Sequence, residues 1–263
     1  MGEMPVRLVA SDIDGTLLQG GANAIDPQLW GLIGRLEARG VVFCAASGRP
    51  YAALRELFAP VAGRIAFVCE NGAMVYRGGE LVSQTAMDQA AAMRLIHEIL
   101  ADESCEVMVS AGGCIYLIPR IPERAARILP FVGSQVRFLQ SPAQLPGGIL
   151  KVSAYREEGA AALLPVMAPR WQGQFSVALA GSRWLDFTKA TKGAGLAALA
   201  AQLGVHPAQA MAFGDNYNDA PMLDWVGWPY IMRRAAPELR ARYPVAERPE
   251  PVIESLLDGT LER

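Results

Sequence analysis

Histidine is nearly absent: the chain has two in 263 residues, His97 and His206. A histidine-based metal site therefore has almost no raw material. The four cysteines, Cys44, Cys69, Cys105 and Cys114, show no CxxC spacing, and three of them lie inside apolar runs as small hydrophobes do. Structural zinc is not expected, and any metal must be held by oxygen. There is no surplus of basic charge: 24 Lys and Arg against 26 Asp and Glu give a formal net charge of −2. The chain thus has no electrostatic footprint for nucleic acid or an anionic membrane. No apolar run approaches a membrane span, and MGEMPVRLVASD has no basic region leading into a long apolar core. Internal repeats and low-complexity tracts are missing too. Together these absences predict a cytoplasmic, reducing setting, with neither nucleic acid nor membrane as partner.

What is present is ample core material. Hydrophobic residues make up 52% and charged residues 19%, as in a compact fold of one large or two medium domains. The first third alternates apolar runs with amphipathic stretches. Val6 to Ala10, Val41 to Ala46 and Ile65 to Cys69 read as strands, with helices over Pro27 to Arg39 and Pro50 to Phe58. The runs are apolar throughout, as in parallel strands covered on both faces. From about Tyr76 to Phe187 the rhythm changes to hairpin-like pieces, including MVYRGGELV with Gly78-Gly79 as its turn, mixed with helices. The βα rhythm returns with a helix over Lys192 to Leu203 and a strand over Ala210 to Phe213. The fold class is α/β: a doubly wound parallel-sheet core interrupted by an α+β insertion.

Chemistry gathers where apolar runs end. LVAS leads into Asp12, VFCAA into Ser47 and MAFG into Asp215. In open parallel sheets, ligands bind outside the carboxyl ends of the strands. If these three strands are neighbours, Asp12, Asp14, Ser47 and Asp215 converge on one edge, with Asp219 in the following loop. Asp12 and Asp14 repel, so one is protonated or a cation sits between them. In ASGRP, Pro50 suits a first helical position, which places Ser47, Gly48 and Arg49 at a helix N-terminus suited to an anion; plain N-capping by Ser47 reads as well. The glycines of neither acidic loop match a calcium-binding loop. Gly193-x-Gly195-x-x-Ala198 imitates a dinucleotide fingerprint and would suit a nicotinamide oxidoreductase, but it leaves the acidic residues without work.

DIDGTLL at Asp12 to Leu18, SGRP at Ser47 to Pro50, ENGA at Glu70 to Ala73, Lys192-Gly193 and GDNYNDAPML at Gly214 to Leu223 together resemble, in that order, the motifs of haloacid dehalogenase-type phosphatases. The likeness is to the Cof-type branch, with its large α/β cap. It implies a core over 1–82 and 184–263 and a cap over 83–183. It implies Asp12 as nucleophile forming an aspartyl-phosphate and Asp14 as general acid and then base. Ser47 and Lys192 would bind the phosphoryl group, with Gly48, Arg49 and Asn218 also facing substrate. The implied cofactor is Mg²⁺, held by Asp12, the backbone carbonyl of Asp14 and Asp215, with Asp219 as an additional or water-mediated ligand.

The resemblance thus implies hydrolysis of phosphomonoesters of small metabolites, sugar phosphates or similar. A phosphotransferase using the same intermediate and a non-catalytic phospho-acceptor module are the alternatives. LDFTKATKG is shorter than the family's usual stretch, which makes Lys189 the fallback for Lys192. Arg233-Arg234 stands where the family has a Gly-Asn pair; near the sheet's carboxyl edge the two could contact an anionic substrate, but a solvated surface pair is the preferred reading. Lys151, Arg183 and Trp184 are within plausible reach of the leaving group, although each has an ordinary surface or packing explanation.

Overall fold

A computed structural model describes residues 6–132 and 136–261. Its strands, in chain order, are β1 (Leu8–Ser11), β2 (Val42–Ala46), β3 (Ala66–Cys69), β4 (Met74–Arg77), β5 (Glu80–Gln84), β6 (Cys105–Ala111), β7 (Cys114–Ile118), β8 (Val136–Phe138), β9 (Ile149–Arg156), β10 (Ser176–Ala180), β11 (Trp184–Thr188), β12 (Ala210–Gly214), β13 (Trp228–Met232) and β14 (Val245–Ala246). They form an eight-stranded sheet, β14-β13-β12-β1-β2-β3-β4-β5, and a six-stranded sheet, β10-β11-β9-β6-β7-β8.

The larger sheet is parallel from β14 to β3. Successive residues of its strands enter two different cores. Val9, Phe43, Phe67 and Met211 pack with Leu29, Leu32 and Ile253 from the helices Gln28–Glu37 and Pro249–Asp258. Leu8, Cys44, Ala66 and Ala210 pack with Leu196 and Leu199 from the helix Lys192–Leu203. Burial on both faces is why these strands read as unbroken apolar runs.

The expected borders of the insertion move at both ends. The hairpin around Gly78-Gly79, which the change of rhythm groups with the insertion, pairs antiparallel with β3 and extends the core sheet through Gln84, past residue 82. At the other end β11, assigned to the core by a border at 184, pairs with β9 and β10 in the smaller sheet. A strand belongs to the sheet that hydrogen-bonds it, and β11 carries the alternation of a half-covered antiparallel strand. Leu185 and Phe187 enter the core beneath the helices Gln89–Ala101 and Leu164–Trp171, whereas Trp184, Asp186 and Thr188 point the other way.

That other face covers the carboxyl edge of the core sheet. Cross-strand pairing builds it in rows, Ser110–Lys151–Thr188 and Met108–Ser153–Asp186. Among the described residues no helix is long and apolar enough to cross a membrane. All four cysteines are free thiols.

Candidate active site

The strands β12, β1 and β2 are immediate parallel neighbours, so Asp215, Asp12 and Ser47 leave the sheet side by side. A cavity of about 530 Å³ lies between this edge and the cap face. Asp12, Asp14, Ser47, Gly48, Arg49, Lys192, Asp215 and Asn218 all line it. Asp219 does not; it is fully buried beneath the floor.

Lys192 ties the floor together. Its side chain is 1% exposed, and Nζ stands 2.6 Å from both Asp12 Oδ1 and Asp219 Oδ1. Burial opposes its charge, but Asp12 and Asp219 outweigh that effect and its pKa rises. Lys189, the alternative, is exposed. Lys192 is aimed by its helix start: Thr191 Oγ1 caps the helix by accepting from the Ala194 N–H at 3.1 Å.

Asp12 keeps one buried oxygen, Oδ2, with no hydrogen-bond partner. Burial and then repulsion from Asp219 push its carboxyl well above the ordinary range, against the pull of Lys192. The Asp215 carboxyl is raised to about 6, by burial first and Asp219 second. Asp219 is differently occupied: Oδ1 meets Lys192, and Oδ2 accepts from the Asp215 and Asn216 N–H groups at 2.9 and 3.0 Å. It shapes the loop that presents Asp215. Gly15, with φ of +97°, makes room for this arrangement, since a Cβ there would lie 2.0 Å from Asp215 Oδ2.

Asp14 stands apart from the acidic cluster. Its exposed carboxylate receives Arg49 in a two-pronged pair, Nε to Oδ2 at 2.9 Å and Nη2 to Oδ1 at 2.5 Å. Arg49, expected toward substrate, lines the cavity and is paired there with Asp14. The expectation for Pro50 also changes. With ψ of 156° it is the residue before the helix Tyr51–Leu57 and not its first member. Ser47 therefore caps no helix; its hydroxyl accepts from the Arg49 N–H at 3.2 Å inside a tight turn.

One constellation has only a faint signal in the sequence. Lys151 Nζ, from cap strand β9, donates to the Gly48 carbonyl at 2.6 Å and pairs with Glu70 at 2.9 Å and Asp186 at 3.6 Å. Asp186 also accepts from Ser153 at 2.7 Å and Asn71 at 3.0 Å, and Asn71 accepts from Asn218 at 3.4 Å. Buried charge of both units is thus matched across their junction. ENGA marked the place, because Glu70 and Asn71 sit at φ of +50° and +55°, a conformation uncommon outside glycine. Nothing local to Lys151 or Asp186 announces their partners.

Two further motifs resolve. Gly193 and Gly195 serve close packing, since Cβ atoms there would lie 2.2 Å from the Pro221 carbonyl oxygen and 2.8 Å from Val68 Cγ1. The strand before them belongs to the cap, so no dinucleotide-binding βαβ unit forms. Arg233 pairs with Glu247, while exposed Arg234 bonds Gln19 at 2.9 Å and lends Asp215 some positive field.

The model of the haloacid dehalogenase-like hydrolases matches residues 9–245. The chain belongs to that family. This hydrolase is 23% identical over 235 residues to the 5-amino-6-(5-phospho-D-ribitylamino)uracil phosphatase YbjI of Escherichia coli K12, covering 88% of the chain and 87% of the relative. It is 29% identical over 245 residues to the HMP-PP phosphatase of Cronobacter sakazakii, covering 90% and 88%. In fold it matches the HAD subclass IIB sugar phosphatase BT4131 with a TM-score of 0.78 at 18% identity, over 97% of this chain and all of that one (100%). Its core sheet with a separate inserted mixed sheet shares the fold of that subclass IIB protein.

The family implies a divalent cation, and the hydrolase's residues fit one. Asp12, Asp215 and Asp219 bring one carboxylate oxygen each within 4.8 Å of one another, and the donor set is all oxygen. The partnerless Oδ2 of Asp12 is the clearest opening for it.

Proposed function

We propose that the hydrolase cleaves phosphomonoesters of small metabolites through an aspartyl-phosphate on Asp12, with Mg²⁺ as its cation. The observation that carries this reading is the Asp12 carboxylate itself. One oxygen is fixed by Lys192, and the other is buried without a protein partner in the wall of a cavity that Asp14, Ser47 and Asp215 share. A carboxylate so held is oriented for attack and has an acceptor to spare.

In the first half-reaction an Asp12 carboxylate oxygen attacks phosphorus and the P–O bond to the leaving group breaks. Asp14, released from Arg49 and protonated, gives its proton to the departing alkoxide. In the second, Asp14 takes a proton from water, which attacks the phosphoryl group; inorganic phosphate leaves and Asp12 is regenerated. Ser47 and Lys192 hold the phosphoryl oxygens, Lys192 with a full charge. Asp12 and Asp215, together with Asp219 and the Asp14 carbonyl, would hold the Mg²⁺, which when bound offsets phosphoryl charge and favours the ionised Asp12. The cap shields the site from water, and the Lys151 bond to Gly48 sets the cap against the loop carrying Ser47.

The test is phosphate release from phenyl phosphate, with Mg²⁺ and with chelator. Metal-dependent turnover by the wild type that vanishes in Asp12→Asn is the expected result. Activity persisting in Asp12→Asn rules out Asp12 as nucleophile.

A further inference from the structure

The cap side of the cavity is chemically lopsided. Two of its polar side chains, Lys151 and Asp186, are spent within the protein: Lys151 on Gly48, Glu70 and Asp186, and Asp186 on Ser153, Asn71 and Lys151. What the cap sheet offers a leaving group instead is apolar. Met108, Ile115 and Trp184 all line the cavity. Met108 and Ile115 are otherwise buried in a small core of their own with Tyr155. Trp184 is braced against the Tyr155 ring at a centroid distance of 4.9 Å, so a flat, rigid surface is ready before substrate arrives.

A polyhydroxylated leaving group needs a donor or acceptor for nearly every hydroxyl it buries, and each one left unpaired weakens binding. On the cap side such groups come from Ser182 and Arg183, in an exposed turn that also lines the cavity. Two further polar atoms stand in or behind the apolar face, the unpartnered hydroxyls of Tyr155, in the core beneath Met108 and Ile115, and of Ser110. Ser110 lies between Ile115 and Lys151 in a cross-strand row; both of these neighbours line the cavity, and Ser110 sits just behind its surface. Its hydroxyl is buried and has no partner.

Resting on the hydrolase reading above, we propose that the leaving group is a planar aromatic ring bearing a heteroatom, packed against Trp184, Met108 and Ile115. Esters of polyols and sugars are the poorer class. Trp184 is then a specificity-determining residue, and Ser110 meets the ring heteroatom.

The test compares phosphate esters of primary alcohols, so that leaving-group reactivity does not decide the outcome. Benzyl and pyridylmethyl phosphate form one set, glycerol 3-phosphate and glucose 6-phosphate the other, all with Mg²⁺. The ring esters should lead in kcat/KM by about tenfold or more, mainly through KM. Trp184→Ala should cut the ring-to-polyol ratio by about tenfold, Trp184→Phe should keep most of it, and Ser110→Ala should narrow the gap between pyridylmethyl and benzyl phosphate. Glucose 6-phosphate matching or beating the ring esters, or a ratio unmoved by Trp184→Ala, overturns the assignment. If no ester, phenyl phosphate included, yields phosphate, the hydrolase reading is what fails. Calorimetric titration with benzylphosphonate against the phosphonate analogue of glycerol 3-phosphate then decides the cavity's preference by itself, and equal binding sinks it.

Discussion

Replacing Lys192 with methionine removes the single ammonium that two buried carboxylates share. Nζ lies 2.6 Å from each, and the side chains of Lys192, Asp12 and Asp219 are 1%, 7% and 0% exposed. Methionine keeps most of the volume, so the loss is one of charge. Removing one member of such a buried group costs about 3–5 kcal/mol, chiefly through the charge left unpaired. In a protein of this size that corresponds to a fall in Tm of roughly 10 °C. The cost depends on pH, because an unpaired buried carboxylate escapes by taking up a proton, and Asp12 is already raised by burial and by Asp219. Unfolding in denaturant, with chelator present, should therefore show the full deficit at pH 7 and a smaller one at pH 5. Adding Asp219→Asn to Lys192→Met should recover part of it, since one of the two stranded charges is gone. A deficit below about 1 kcal/mol, or one equal at the two pH values, refutes the view that Lys192 neutralises the floor of the site.

Three more outcomes are expected. Gly72→Ala should destabilise by about 2–3 kcal/mol, read by thermal unfolding, because φ is +100° and the new Cβ would lie 2.0 Å from the Thr191 carbonyl oxygen, with backbone on both sides and no side chain to yield. In chelator, the folded state holds the Asp215 proton more tightly than the unfolded chain does, its pKa being raised from 3.8 to about 6. That contribution is complete below pH 3.8 and is lost as pH rises through about 6. Allowing for partial exposure it is about 2 kcal/mol at most, seen as a Tm that falls with pH more steeply in the wild type than in Asp215→Asn; parallel profiles would contradict it. Arg49→Ala should leave stability within about 0.5 kcal/mol, because the pair with Asp14 is 36% and 56% exposed, yet lower kcat/KM on phosphate esters. A large stability loss would show that the pair is structural.

The order of apolar runs and the residues that end them were enough to bring three of the cavity's polar residues to one edge. Parallel strands covered on both faces leave an unbroken apolar signature, and their carboxyl ends are where such sheets bind ligands, so Asp12, Ser47 and Asp215 could be set on one edge without coordinates. The resemblance carried by DIDGTLL and GDNYNDAPML supplied roles for them, and the family followed. Tertiary structure decided what depends on partners far apart in the chain. Strand β11 joins the cap because β9 and β10 pair with it, and no local pattern names a strand's neighbour. Arg49 pairs with Asp14, 35 residues away, in the cavity that both line. Lys151 and Gly48 are 103 residues apart and Asn71 and Asp186 are 115 apart, yet their bonds fix how the cap meets the core. Periodicity reports which face of an element is buried; which charge waits on the other side of that burial is set only when the chain closes on itself.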